Sequence, residues 1–259
     1  GISGIYRLPV FLSNSNHKYN TFDYTRIDPD FGTEEDLVEL VRSAHSMGIR
    51  VMLDAVFNHS GTEFAPWQDV WEKGEASRYF DWFCIHKRPF ERKNASLRDG
   101  RFDGFAFLDS MPKLNTGNPE VQQYFADICT HWVRDWGIDG IRFDVGNEVS
   151  HSFLKYLNRT LKKLNPELFL LGEIWMDSAQ WLQGDEWDTV MNYDAFMEPL
   201  SWFLTGLEKH SDRADGHLYQ NSQAFMCTML YNMSWMQTPS MMAAMNELSN
   251  HDHSRFLTR

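Results

Sequence analysis

Two acids, Asp144 and Glu173, each close a short apolar run: Gly140–Asp144 (GIRFD) and Phe169–Trp175 (FLLGEIW). Carboxylates that end successive strand-like runs can be brought side by side. A pair about 5–5.5 Å apart can cleave a glycosidic bond with retention, one attacking the anomeric carbon while the other protonates the leaving oxygen. Arg142 stands two residues before Asp144, on the same side of an extended chain, where a guanidinium keeps a carboxylate ionised and oriented as a nucleophile requires. Glu173 lies between Gly172 and Ile174-Trp175, an apolar setting of the kind that raises a carboxyl's pKa for work as an acid. Each acid alone reads equally well as half of a structural ion pair at a strand end. The joint pattern is what points to catalysis.

Further runs share the plan of an apolar stretch ending in polar residues: Gly4–Pro9, Val51–His59 (VMLDAVFNH) and, more weakly, Val190–Asp194 (VMNYD). Helical patterns lie between them. Thr33–Met47 has Thr33 as an N-cap, acids in its first turn and Gly48 as a stop. Asn118–Trp136 carries Pro119 in its first turn and closes at Gly137, and Ser152–Leu164 is closed by Asn165-Pro166. Strands alternating with helices predict an α/β fold of parallel βα units. Chemistry at the strands' C-terminal ends predicts a (β/α)8 TIM barrel. Residues 60–114 break the rhythm, being rich in Trp, Phe and charge without a strong helical period. They read as a subdomain inserted on the exit loop of the third barrel strand, dividing the barrel into residues 1–59 and 115–259. Loops this long usually serve function.

Composition narrows the partner. The 259 residues suffice for one large core, and 24 Lys plus Arg against 36 Asp plus Glu leave a net charge of −12. That balance argues against nucleic acid and anionic membrane, both of which need a basic face, and suits a neutral ligand. Aromatics at 15% fill a core for the most part, and some suit the walls of a sugar cleft. Cys84, Cys129 and Cys227 are scattered and odd in number, so reduced cytoplasmic thiols are expected rather than a disulfide framework. No apolar stretch approaches the roughly 20 residues of a membrane span. The methionines between Met233 and Met245 read as packing.

DAVFNH (Asp54–His59), GIRFD (Gly140–Asp144), GEIW (Gly172–Trp175) and SNHD (Ser249–Asp252) occur in that order. They resemble the four signature regions of the α-amylase family of glycoside hydrolases, and the resemblance covers essentially the whole chain. It implies a (β/α)8 barrel with Asp144 as nucleophile, Glu173 as general acid/base and Asp252 as transition-state stabiliser. It implies that His59 and His251 bind hydroxyls of the sugar at the cleavage point, that Arg142 positions the nucleophile and that Tyr19 stacks beneath that sugar. Asp54 and Asn58 read as framework residues of their motif. MPKLN (Met111–Asn115), SNHKYNTFDYTRIDPDFGT and DVGNEVSH are similar to the neopullulanase, cyclomaltodextrinase and maltogenic amylase subgroup, which places Glu148 near the +1 or +2 sugar. Asn20 stands where the subgroup more often has Asp, and Gly146 where it more often has Ala. Asn20 removes a charge near the non-reducing end of the site.

The implied activity is double displacement on α-1,4 and some α-1,6 glucosidic bonds of maltooligosaccharides, cyclodextrins, pullulan or starch. No cofactor is required; the resemblance allows a structural calcium beside the inserted segment, although no dense run of oxygen ligands is present there. A homodimer is the implied state of the full-length protein. Transglycosylation is the rival within the class, and a non-catalytic carbohydrate-binding or accessory protein the rival outside it; the latter typically lacks triad carboxylates, which are all present here. His251-Asp252-His253 has an H-x-H spacing, but metal-dependent barrel hydrolases carry theirs on the first strand. His253 therefore reads as an ordinary loop residue or one that supports the site residues from behind. GISGIY is similar to the family's second strand, and SNHD ends its seventh. The first and eighth are not found, so the chain reads as part of a longer protein with two unpaired edges; isolated, it should be poorly active or inactive, or its edges should be covered by another copy.

Overall fold

The computed structural model describes residues 1–93 and 95–258. They form two compact units, Gly1–Leu170 and Leu171–Arg259.

The first unit runs β1 (Gly4–Arg7), β2 (Phe11–Ser13), β3 (Thr21–Ile27), α1 (Glu34–Ser46), β4 (Arg50–Ala55), α2 (Ala65–Lys73), α3 (Pro119–Asp135), β5 (Gly140–Phe143), α4 (His151–Leu164) and the start of β6 (Phe169–Gly172). β4 lies between β1 and β5 and is parallel to both. The register sets Asp54 opposite Arg142, and facing residues of paired strands project to one side. The expected helices form with the expected signals. Thr33 accepts the Asp36 N–H while the Asp36 carboxylate accepts the Thr33 N–H (2.8 Å), a reciprocal cap. Asn118 caps α3 through the Glu120 N–H (2.8 Å). α4 starts at His151, one residue earlier than the pattern suggests, because Ser150 is the cap that accepts the Phe153 N–H.

Most aromatics of this unit are core, as expected. Phe57 meets Phe125 at 4.2 Å between ring centres, Phe11 stacks on Trp132 at 4.6 Å, and Tyr24 meets Phe125 edge-on at 5.0 Å. Each such buried side chain contributes about 1.5–3 kcal/mol. β2 and β3 form an antiparallel pair with register shifts, a hairpin that the sequence patterns do not announce. Residues 60–114 contain α2 and isolated antiparallel bridges such as Phe83 with Leu114 and Ile85 with Phe102. α2 escapes periodicity because it has nine residues and buries only Pro66, Trp67 and Val70. Trp67 gathers a local core, with Phe83 at 4.8 Å and Phe102 at 5.1 Å.

The second unit holds the end of β6, then β7 (Thr189–Val190), α5 (Glu198–Thr205), α6 (Ser222–Ser234) and α7 (Thr238–Met242). β7 pairs parallel with β6, Gly172 opposite Val190. The expected strand over Val190–Asp194 stops at Val190. Asn192 instead accepts the Ala195 N–H (3.2 Å) and opens a wide helical turn, Tyr193–Met197, that leads into α5. The strand expected before SNHD is likewise reduced to a single parallel bridge, Met191 with Met245; the residues after Met245 are polar and poor strand formers.

Gly172 lies against the buried Trp187 ring, and a Cβ there would stand 2.2 Å from it. Gly172→Ala is expected to cost about 1–3 kcal/mol through overpacking, read as a lower urea midpoint at unchanged slope. An unaltered midpoint would show that Trp187 yields freely.

Candidate active site

The register of β4 and β5 assembles the first unit's polar centre. Arg142 is fully buried, and its Nη1 donates to both Asp54 oxygens (2.9 Å each) and to Asp144 Oδ1 (2.9 Å). Asp54 Oδ2 also accepts the hydroxyls of Tyr6 (2.5 Å) and Tyr19 (2.9 Å), and Arg142 lies 5.9 Å from the Tyr19 ring centre. Burial raises the Asp54 pKa above the ordinary carboxylate value, opposed by Arg142 and the two hydroxyls. Burial also raises the Tyr6 and Tyr19 hydroxyls, with the Asp54 charge adding to it, so both remain protonated donors. A cation in contact favours the ionised form of Asp144. Removing one member of such a buried pair costs about 3–5 kcal/mol, because the other charge is left unmatched.

Asp144 follows β5, and its N–H donates to the Ala55 carbonyl (3.1 Å). Val145 then adopts φ 47°, ψ 46°, a left-handed conformation that costs a β-branched residue about 1–3 kcal/mol and turns the chain sharply away. The exposed Glu148 accepts Lys113 Nζ at 2.6 Å. His59 is buried, stacked on Phe105 at 4.6 Å, and its Nε2–H donates to the Tyr19 carbonyl at 2.8 Å. Its immediate effect is thus to fix the backbone of Tyr19. Burial pushes the His59 pKa down to about 4, so the ring is neutral at pH 7. Asn20 Oδ1 accepts the hydroxyls of Ser13 (2.5 Å) and Ser15, which engages the amide within the hairpin.

The second unit holds the other acids. Glu173 is buried just after β6 and accepts Trp175 Nε1 at 2.9 Å. The Trp175 ring packs against Tyr193 at 6.0 Å, His210 at 5.2 Å and His253 at 5.3 Å. Asn250 donates to the Tyr193 hydroxyl (2.8 Å), and its Oδ1 accepts the Asp252 N–H (3.0 Å) and His253 Nδ1–H (2.6 Å). His251 pairs with Asp252 at 3.2 Å, both residues being exposed. One chain of contacts thus links Glu173 to Asp252 through Trp175, Tyr193 and Asn250. His253, expected to be either an ordinary loop residue or a support behind the site, is buried within it.

Asp54 and Asp144 therefore converge on Arg142, with Tyr19 on Asp54 and His59 behind Tyr19, whereas Glu148 joins Lys113. Sequence reasoning does not single out Tyr6, Lys113 or Asn250. The signal for Tyr6 is its place in GISGIY, a polar-tipped aromatic near the end of a strand-like run. Among the described residues no group of three or more His, Cys, Asp or Glu side chains gathers as a cation site. The three cysteines are free, and among the described residues no helix is long and apolar enough to cross a membrane.

The family model for the α-amylase catalytic domain matches residues 1–259. The chain belongs to the α-amylase family. A cyclomaltodextrinase of Geobacillus thermopakistaniensis is 45% identical over 258 residues, covering 100% of this chain and 41% of that protein. An intracellular maltogenic amylase of Bacillus subtilis is 42% identical over 263 residues, covering 100% of this chain and 41% of that protein. The solved structure of a cyclomaltodextrinase superposes with a TM-score of 0.86 at 40% identity, covering 100% of this chain and 42% of that one. The chain thus spans about two fifths of these relatives' length. Its fold is of the (β/α)8-barrel class that the sequence motifs imply, here a partial barrel.

Two outcomes follow from the first unit's centre. His59 binds fewer protons folded than unfolded between its ordinary pKa of about 6.5 and about 4. Stability is therefore full above pH 6.5 and falls as pH drops towards 4, by on the order of 3 kcal/mol. Thermal unfolding of His59→Gln between pH 4 and 8 should lack that portion of the slope; equal slopes would assign it elsewhere. Tyr6→Phe should cost about 1–3 kcal/mol by leaving Asp54 short of a donor, measured by denaturant unfolding, and an unchanged stability would remove Tyr6 from the cluster.

Proposed function

We propose that this chain carries the catalytic centre of a retaining α-glucan hydrolase, with Asp144 as nucleophile. The supporting observation is the charge arrangement at the end of β5. Asp144 is buried, held by one Arg142 nitrogen and presented by the strained turn at Val145. Glu173, at the end of the next strand with Trp175 on one oxygen, supplies the proton.

The reaction proceeds in two displacements. The Asp144 carboxylate attacks the anomeric carbon as the protonated Glu173 gives its proton to the departing glycosidic oxygen, forming a glucosyl ester. Glu173, now ionised, takes a proton from water, whose oxygen attacks the same carbon and frees Asp144. Asp252 and His251 hold sugar hydroxyls and stabilise the transition state. Tyr19 stacks beneath the sugar, placed by Asp54 through its hydroxyl and by His59 through its carbonyl, and His59 also faces that sugar's hydroxyls. Arg142 keeps the nucleophile ionised, and Glu148, steadied by Lys113, meets the sugar on the leaving-group side.

The substrates proposed are maltooligosaccharides, cyclodextrins, pullulan or starch, cut at α-1,4 and some α-1,6 bonds, in keeping with relatives named cyclomaltodextrinase and maltogenic amylase. A cytoplasmic location follows the free thiols and the relative named intracellular. The homodimer and the reading of residues 60–114 as an inserted subdomain belong to the same proposal, the latter supported by that segment's own aromatic core.

Asp144→Ala, Glu173→Gln and Asp252→Asn should each lower turnover of maltotriose or cyclodextrin by on the order of 10³-fold or more; Glu173→Gln and Asp252→Asn should keep the wild-type unfolding profile, whereas Asp144→Ala should unfold earlier because Arg142 is left unmatched. Proton NMR of the first product should show the α-anomer. Near-normal turnover in any variant, or an initial β-anomer, would overturn the assigned roles.

A further inference from the structure

A second cleft lies in the first unit. It is bounded by β3, the start of α2, residues 78–82 and the outer face of α3, with a volume of about 660 Å³, within the roughly 300–1,000 Å³ of small-ligand sites. None of its lining residues belongs to the Asp54–Arg142–Asp144 centre. α3 explains one wall: Val121, Phe125, Ile128 and Trp132 are buried on one face, which turns Glu120, Gln123, Tyr124 and Asp127, at helical spacing, towards the cleft.

The walls are aromatic and the polar groups are mostly acceptors. The half-buried Tyr124 ring lies 5.3 Å from Trp82 and 5.9 Å from Phe64, and Tyr79 meets Trp82 edge-on at 5.0 Å. Each carboxylate uses one oxygen internally. Glu120 Oε2 accepts Trp82 Nε1 (3.0 Å), Asp127 Oδ1 accepts Gln123 Nε2 (2.7 Å), and Asp23 Oδ1 accepts the Thr25 hydroxyl (2.7 Å). The second oxygen of each makes no hydrogen bond among the described residues, nor does the Tyr124 hydroxyl. Arg78, the one cation among the lining residues, lies over the Tyr79 ring at 4.9 Å.

Three carboxylates exclude phosphate, nucleic acid and acidic peptides by repulsion. Flat rings between oriented acceptors suit the apolar face and the hydroxyls of a pyranose. We propose that this cleft is a second, non-catalytic carbohydrate site that holds a stretch of α-glucan chain. It rests on the reading of the chain as an α-glucan hydrolase and deepens it. Phe22 and Asp23 lie on β3, the strand that begins two residues after Tyr19, so the cleft and the proposed cleavage site are built on one hairpin.

The test is electrophoresis of the full-length protein in native gels with and without soluble starch. Tyr79→Ala/Tyr124→Ala should lose starch retention at least about fivefold, roughly 1 kcal/mol of binding, while kcat/KM for maltotriose stays within about twofold, since a trisaccharide fills only the catalytic cleft. Asp144→Asn should lose turnover and keep retention. Should the double variant melt early, Tyr79→Ser with Asp127→Ala, both on the rim, replaces it. Wild-type retention in the folded variants overturns the proposal. So does a wild-type chain whose sedimentation shows self-association that these substitutions abolish without altering retention, which makes the cleft a surface for a second copy. Failure of the hydrolase reading appears separately, as no maltotriose turnover in the wild type.

Discussion

One buried guanidinium serving two carboxylates is the constraint on which the first unit depends. Arg142 has no solvent to share its charge with, and Asp54 and Asp144 draw on the same nitrogen. The cost of desolvating three charges is offset only if every oxygen finds a donor, which is why Tyr6 and Tyr19 both end on Asp54. Tyr19 is thereby fixed before any ligand arrives. The same contact sets the strand register, because Asp54 faces Arg142 across β4 and β5 and a slip of one residue would turn one of them away. The geometry of the proposed nucleophile and folding specificity are here one requirement.

The two units solve a similar problem with similar means. In the first, phenol hydroxyls donate to a carboxylate; in the second, the Trp175 indole donates to Glu173 and Asn250 anchors the Asp252 backbone. Aromatic donors suit this work because their rings pack as apolar bodies while a single polar atom reaches the acid. Strain is localised as well: the left-handed Val145 directly follows Asp144, where the surrounding contacts can hold it.

Residues 60–114 add a third aromatic assembly. Trp67, Phe83 and Phe102 close a small core of their own, which frees Tyr79 and Trp82 to face α3. At the proposed glucan site a chain with a net charge of −12 meets a neutral polymer without electrostatic steering, so contact area and oriented acceptors must supply affinity.

Much of this was legible without coordinates. Caps and stops placed α1, α3 and α4 to within a residue or so, because those signals are local hydrogen bonds written in neighbouring side chains. The acids, Arg142 and the barrel class were readable because motif order and the alternation of strands and helices persist in one dimension. Other features needed the folded chain. Tyr6 is 48 residues from the Asp54 it serves, and His59 is 40 residues from the carbonyl that fixes its tautomer; contacts at such separation leave no period in the sequence. The VMNYD strand failed because Asn192 has a local partner in Ala195 that competes with the ladder, and α2 was missed because it is short and buries only Pro66, Trp67 and Val70. Local propensity determines where elements begin and end. Which polar atoms meet in the dark of the core is decided by packing alone, since only there does an unmatched charge carry its full cost.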